Sequence, residues 1–221
     1  MPTTTGDRRP IAARQWRVSH WAAERLAASG VSPNSISIAG MFCGVLGGLA
    51  LAGTSRFPTF EAALWLLAAT MIVLRLLANM LDGMVAVSSG KTSSVGELFN
   101  EVPDRVSDAA VLIGLGYATG GDVLLGCWAT IAAILTAYVR AIGKVAGASQ
   151  DYSGPFAKQQ RMALVIVLCV VMATLPSAWQ PAWGDPPWRL PAVALAVLTI
   201  GAFLTAIRRL LRVARQLRSR P

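Results

Sequence analysis

The chain has 221 residues, of which 54% are hydrophobic and only 14% are charged, and its mean hydropathy is +0.54. This composition excludes a soluble globular domain, in which about a quarter of the residues are charged. The formal net charge of +9 comes without a basic patch interleaved with aromatic residues, so it favours contact with anionic membrane lipids over nucleic-acid binding.

Residues 1–30 form a polar, basic N-terminal segment. Some of its hydrophobic side chains recur at helical spacing: Val18, Trp21, Ala22 and Leu26. This pattern predicts an amphipathic helix over residues 17–29 that lies in the membrane interface. The alternative is a loosely ordered tail, and we expect disorder for residues 1–10.

The rest of the chain is dominated by stretches long enough to cross a bilayer. Four of them carry no charge: residues 35–55, 123–139, 162–184 and 190–207. Two more, residues 62–87 and 96–119, are apolar in one half and polar in the other, and we count them as spans. The sequence predicts an all-α polytopic membrane protein with six transmembrane helices in a domain at residues 31–210, followed by a basic tail at residues 211–221.

Lys and Arg predict the orientation of these spans, because they accumulate in cytoplasmic loops. With six spans both termini lie on one side, and only Arg56 and Arg189 fall on the other. We therefore expect a multi-pass protein of the cell (inner) membrane with both termini in the cytoplasm.

Cysteine and histidine chemistry can be set aside. Cys43, Cys127 and Cys169 each lie in an apolar span without paired spacing, which supports neither disulfides nor a thiolate metal site. His20 is the only histidine, and it lies in the N-terminal segment. A catalyst in this chain must therefore use carboxylates.

Five of the eleven acidic residues cluster in the polar halves of the second and third spans: Asp82, Glu97, Glu101, Asp104 and Asp108. Carboxylates at membrane depth usually face a cavity, a metal ion or a relay. Helical spacing places Asn79 and Asp82 on one face of the first of these helices. It likewise places Asn100, Asp104 and Asp108 on one face of the second. A short turn makes the two helices antiparallel neighbours, so their oxygen atoms can converge on a hard cation such as Mg²⁺ or Mn²⁺.

The alternative is a purely structural network in which Arg75 and Arg105 neutralise the acids. Five acids against two arginines leave a surplus of negative charge. We favour a metal or ion site, because uncompensated buried carboxylates need a cation.

The segment 79–104, NMLDGMVAVSSGKTSSVGELFNEVPD, resembles the signature of the CDP-alcohol phosphotransferase family. That signature reads D-x2-D-G-x2-A-R and, further along, G-x3-D-x3-D. The matching residues are Asp82, Gly83, Ala86, Gly96 and Asp104. Ser32-Pro33-Asn34 also resembles the family's S/T-P-N at the first span, and six helices with cytoplasmic termini is the family's architecture.

The resemblance implies specific roles. The motif acids of the family hold two divalent cations on the pyrophosphate of a CDP-linked donor, and the last Asp, here Asp104, deprotonates the acceptor hydroxyl. The implied metal ligands are Asn79, Asp82, Asn100, Glu101 and Asp104. The implied donor contacts are Gly83, Ala86, Lys91 and Gly96. The implied cationic pocket for an acceptor or phosphate group consists of Arg140, Lys158 and Arg161.

Three positions depart from the signature: Asn79, Asn100 and Val87. An asparagine offers a carbonyl oxygen but no charge, so the affinity for a second Mg²⁺ should fall. Glu97 or Glu101 can compensate for the lost acids, and Lys91 for the lost arginine. The pattern also resembles a bacterial subgroup of the family with N-x2-D-G-x2-A and N-E-V-x-D.

The activity implied is a step of phospholipid biosynthesis. A phosphatidyl group moves from a CDP-linked donor, with CDP-diacylglycerol as the first choice, to an unidentified hydroxyl acceptor, CMP is released, and the implied assembly is a homodimer. Two alternatives stay open: a catalytically inactive protein that binds CDP-lipid, and an ion or proton transporter. Metal-dependent CMP release separates the first hypothesis from both others.

Overall fold

The computed structural model describes residues 16–89, 95–149, 154–175, 179–184 and 188–219. Within these ranges the chain forms seven α-helices: α1 (Arg17–Ala28), α2 (Pro33–Arg56), α3 (Glu61–Ser88), α4 (Gly96–Tyr117), α5 (Val123–Val145), α6 (Lys158–Thr174) and α7 (Leu190–Arg218). A 3-10 helix, Pro58–Phe60, leads into α3, and a hairpin pairs β1 (Ala182–Trp183) with β2 (Trp188–Arg189). The all-α prediction is confirmed.

Four helical segments are long and apolar enough to cross a membrane: Pro33–Arg56, Pro58–Ser88, Val123–Val145 and Leu190–Arg218. They make the chain a membrane protein, with fewer clear spans among the described residues than the six predicted. α4 falls short because its first half is charged, and α6 has only 17 residues.

α6 is shorter than the uncharged stretch that predicts it. We expected a span over residues 162–184, but the helix ends at Thr174 and Leu175 is extended, with φ −84° and ψ 120°. Leu175 precedes Pro176, and a proline ring disfavours the helical conformation of the residue before it. Absence of charge was therefore a poor guide to where this helix ends.

α2 positions α3 and α4 through small residues along its length. Gly40 lies against Ala78 of α3, and Gly44 lies against Ser107 of α4. At Gly48 an added Cβ would overlap the backbone of Ala110. Such close approach is possible only where side chains are small. α2 thus packs tightly on both helices, whereas α3 and α4 meet mainly through their side chains.

A helix, α1, occurs in the N-terminal segment and packs on α3. Ala23 joins a buried cluster with Ile36, Met80, Met84 and Val85. On the outer side of α1, three large side chains are exposed: Trp16, Val18 and Trp21. The disorder expected for residues 1–10 concerns residues outside the described ranges.

Candidate active site

Asp82 lies near the C-terminal end of α3, with its carboxylate buried against α2. Ser37 of α2 donates a hydrogen bond from its hydroxyl to Asp82 Oδ2 at 2.6 Å. Ser37 lies in the second turn of α2, whose start is capped by the Ser32 side chain accepting from the Ser35 backbone N–H. The serine cap and the small residues of α2 thus fix the position of the Ser37 donor beside Asp82.

Asn79, Asn100 and Asp104 meet across the gap between α3 and α4. The Asn79 amide group donates from Nδ2 to Asn100 Oδ1 and to Asp104 Oδ1, both at 3.2 Å. The predicted convergence of the motif residues of the two helices is therefore present. These side chains border a cavity of about 10 Å³ that is also lined by Ser37, Arg75 and Asp82.

Lys158, the first residue of α6, reaches into this group. Its ammonium donates to Asn79 Oδ1 at 2.9 Å and forms an ion pair with Asp104 Oδ2. The Lys158 and Asp104 side chains are only 10% and 12% exposed. α6 packs on α3, which is how a residue distant in sequence arrives at the motif.

Behind the cavity lies a buried charge triad of Arg75, Asp108 and Arg161. Asp108 forms ion pairs with Arg75 through Oδ1 and with Arg161 through Oδ2, the latter at 3.3 Å, and all three side chains are 2% exposed. Arg75 also donates to Asp104 Oδ1 at 3.3 Å and to Ser107 Oγ at 3.0 Å. Within the described ranges two buried nitrogen atoms lack a partner, Arg75 Nη1 and Arg161 Nε.

The Glu101 carboxylate contacts Arg140 of α5 and Arg105 of its own helix. Its Oε1 accepts from Arg140 Nη2 at 2.5 Å, and its Oε2 lies 3.7 Å from Arg105 Nη2. The spacing of three residues that places Glu101 near Asp104 on α4 does not specify this direction. In the structure the Glu101 carboxylate therefore pairs with Arg140.

The charge balance of the site differs from the one counted along the sequence. Among the described side chains the acids are Asp82, Glu101, Asp104 and Asp108, and the cations are Arg75, Arg105, Arg140, Lys158 and Arg161. The surplus of negative charge inferred from the sequence is therefore wrong for these residues. It overlooked three cations, because they come from α5 and α6 rather than from the motif segment.

Three of the remaining predicted residues, Gly83, Ala86 and Gly96, lie near the C-terminal end of α3 and at the start of α4. Gly83 and Ala86 are partly exposed on α3, close to Asp82 in the chain, and Gly96 begins α4. Lys91 and the Glu97 side chain lie outside what the structure describes. Sequence reasoning missed the pairing of Asp108 with two arginines, although an arginine within an apolar span such as Arg75 is a signal of a buried partner.

The oxygen donors around the cavity fit a divalent cation. Asp82 and Asp104 offer carboxylates, and Asn79 and Asn100 offer amide oxygens, a set suited to Mg²⁺ or Mn²⁺. Among the described residues no three His, Cys, Asp or Glu side chains are placed to hold one metal ion together, so amide oxygens would have to complete the set. The cavity volume corresponds to about one water molecule or one small ion.

The chain is similar in sequence to one protein family and to individual bacterial proteins. The pattern of the family described as CDP-alcohol phosphatidyltransferase matches residues 30–211. Inner membrane protein YnbA of Escherichia coli strain K12 is 26% identical over 75% of this chain and 79% of its own length. Phosphatidylinositol phosphate synthase of Streptomyces avermitilis is 28% identical over 85% of this chain and 74% of its own.

Solved structures of one protein share the fold. The crystal structure of Mycobacterium tuberculosis phosphatidylinositol phosphate synthase with CDP-DAG bound superposes with a TM-score of 0.70 at 22% identity, covering 90% of this chain and 94% of that one. The same protein in complex with manganese and citrate also gives 0.70 at 22% identity, covering 89% and 88%. The match over residues 30–211, which includes α2 to α6, the site between them and most of α7, shows that this chain belongs to the CDP-alcohol phosphatidyltransferase family.

Proposed function

We propose that this chain is an active membrane phosphatidyltransferase of phospholipid biosynthesis. It takes a CDP-linked lipid, CDP-diacylglycerol, as donor and a hydroxyl compound as acceptor, and it releases CMP. The observation that carries the proposal is the meeting of Asp82, Asn79, Asn100 and Asp104 around one cavity in a chain of this family. The CDP-DAG complex of the mycobacterial synthase supports the choice of donor.

In the reaction the acceptor oxygen forms a bond to the donor's β-phosphorus, the bond from that phosphorus to the CMP oxygen breaks, and the hydroxyl proton leaves. We assign that proton to the Asp104 carboxylate. Asp104 Oδ1 is held by Arg75 and Asn79, while Oδ2 is held by Lys158. Asp104 acts as the base when the acceptor hydroxyl reaches Oδ2 beside the Lys158 ammonium, because a carboxylate oxygen can accept more than one hydrogen bond.

A divalent cation at the site would neutralise charge on the phosphate oxygens and on the departing CMP. The proposed ligands are Asn79, Asp82, Asn100 and Asp104, with Glu101 as a further oxygen donor if it leaves Arg140. Ser37 orients Asp82 through its hydrogen bond to Oδ2. The manganese complex of the mycobacterial synthase supports a divalent ion, and we propose that Mg²⁺ or Mn²⁺ serves here.

We propose the following substrate contacts from the family resemblance. Gly83, Ala86 and Gly96 leave room beside the helix backbones for the CDP group, and Lys91 is proposed as a phosphate contact. The proposed cationic pocket for the acceptor or donor phosphate consists of Arg140, Lys158 and Arg161. The side chains of Arg140 and Lys158 are 16% and 10% exposed, whereas the Arg161 side chain is 2% exposed and pairs with Asp108.

We propose the following membrane arrangement. α2 to α7 form six spans, α4 and α6 cross with their polar ends at the cytoplasmic face, and α1 lies in the interface with Trp16 and Trp21 toward lipid. Both termini are then cytoplasmic, with residues 1–30 as the interfacial segment, 31–210 as the six-helix domain, and 211–221 as the basic tail. Asn79 and Asn100 mark a subgroup of the family with these two asparagines, and the assembly is a homodimer.

The test is CMP release by the purified chain in detergent micelles. CDP-diacylglycerol is offered with a panel of alcohols that includes inositol 1-phosphate, glycerol 3-phosphate and inositol, because the cations of the site favour a phosphorylated acceptor. Release should require Mg²⁺ or Mn²⁺. Asp82→Ala should lower the rate of CMP release at least about 10²-fold, because it removes a carboxylate that is a proposed ligand of the metal ion.

Asp122→Ala is the matched control, because Asp122 caps α5 through the Leu125 backbone N–H and lies outside the cavity lining. It should keep turnover near the wild-type rate. Full CMP release in excess chelator would refute the proposal that the reaction needs a divalent metal ion. Donor binding without release across the whole panel would favour the inactive CDP-lipid-binding alternative, and ion uptake into sealed vesicles would favour a transporter.

A further inference from the structure

The Lys158 ammonium lies where the oxygen ligands of a cation converge. It donates to Asn79 Oδ1 and pairs with Asp104 Oδ2, and both of these residues are proposed metal ligands. The contact is well shielded, since the Lys158 and Asp104 side chains are 10% and 12% exposed. A positive charge from the chain itself is therefore built into the ligand group.

The Asn79 side chain can accept a hydrogen bond from Lys158 while it donates to Asn100 and Asp104. Its Nδ2 donates to Asn100 Oδ1 and Asp104 Oδ1, which leaves Oδ1 as the atom that faces Lys158. A carboxylate at position 79 could not donate these hydrogen bonds and would face Asp104 as a like charge. Asn79, Asp104 and Lys158 thus form a closed network in which donors and acceptors alternate.

The turn before α6 holds Lys158 in place. Phe156 has φ +56°, an unusual backbone conformation for a bulky side chain, which persists only where the surroundings enforce it. Thr205 of α7 donates a hydrogen bond to the Pro155 carbonyl, and the Phe156 ring packs over Gly201, where a Cβ would overlap it. The position of Lys158 is therefore fixed by contacts with α7 as well as by its ion pair.

We infer that the Lys158 ammonium takes the place of one of the two cations expected for the family, so that the chain binds a single divalent ion with Asp82 as its principal carboxylate ligand. The cavity of about 10 Å³ has room for one small ion, and the described cations already outnumber the described acids around it. This inference deepens the proposed function and rests on it for the presence of a divalent ion.

The experiment counts bound Mn²⁺ per chain by titrating the purified full-length protein in detergent and measuring free Mn²⁺ by electron paramagnetic resonance. No nucleotide or lipid donor is present. The wild type should bind one Mn²⁺. Lys158→Met should bind two, or bind its first ion at least about tenfold more tightly, because a neighbouring positive charge has been removed. Lys158→Arg, which keeps the charge, should bind one.

Lys144→Met is the matched control, because Lys144 is an exposed lysine near the end of α5. It should bind one Mn²⁺ with unchanged affinity. Two ions on the wild type, or a Lys158→Met variant that behaves like the control, would overturn the inference. If Lys158→Met does not fold, Lys158→Gln, which keeps a polar contact to Asp104, takes its place with the same expectation, and two ions on the wild type still refute it.

CMP release measured on the same preparations separates the two proposals. Turnover with two Mn²⁺ bound to the wild type would refute the single-ion inference alone. One bound Mn²⁺ without turnover on any acceptor would support the inference and count against the proposed transfer. A wild type that binds no Mn²⁺ would overturn both the inference and the metal assignment.

Discussion

Neutralising Asp108 should destabilise the fold more than any single surface change. Its two carboxylate oxygens are divided between Arg75 and Arg161, and all three side chains are 2% exposed. In Asp108→Asn only one oxygen remains as an acceptor, so one guanidinium would face an amide NH₂. Removing one member of a buried ion pair costs about 3–5 kcal/mol, since a buried charge is left uncompensated.

The expected change can be measured as a melting temperature. For a chain of this size about 1 kcal/mol corresponds to roughly 2–4 °C, so Asp108→Asn should melt about 6–20 °C below the wild type. Thermal unfolding in detergent, followed by tryptophan fluorescence, reports it because Trp65 is fully buried in the core. Glu24→Gln is the control, because Glu24 is exposed on α1.

A double variant tests whether charge balance is the cause. Adding Arg161→Gln to Asp108→Asn removes one of the two unbalanced guanidinium groups, so the double variant should be less destabilised than the sum of the single variants. Strict additivity would contradict the reasoning. So would a melting temperature for Asp108→Asn that matches the Glu24→Gln control.

Three further predictions concern catalysis, substrate binding and packing. Asp104→Asn should lower the rate of CMP release by about 10²–10⁴-fold while donor binding, measured separately, is largely preserved; unchanged turnover would exclude Asp104 as the base. Arg140→Ala should raise the acceptor KM about tenfold or more through loss of a charged hydrogen bond, and unchanged kinetics would exclude Arg140 as an acceptor contact. Gly48→Ala should lower stability by about 1–3 kcal/mol by overpacking against α4, whereas Gly53→Ala, whose Cβ meets only side chains at 3.4 Å or more, should melt like the wild type.

The sequence alone was sufficient for the features that depend on local spacing. Asn79 with Asp82 on α3, and Asn100 with Asp104 on α4, line up because residues three or four apart share a helix face. The Asn79 hydrogen bonds to Asn100 and Asp104 show that these two helix faces meet. The family signature and the apolar composition follow from the same local information.

Only the tertiary structure decided which charges surround that motif. Lys158 enters from α6 and Arg140 from α5, and their arrival reverses the excess of negative charge counted along the sequence. Hydropathy and helical period describe one segment at a time, so they carry no information about which face of a distant helix meets the site. Lys158 reaches Asp104 because α6 packs on α3 and because Phe156, two residues before Lys158, packs against Gly201 of α7.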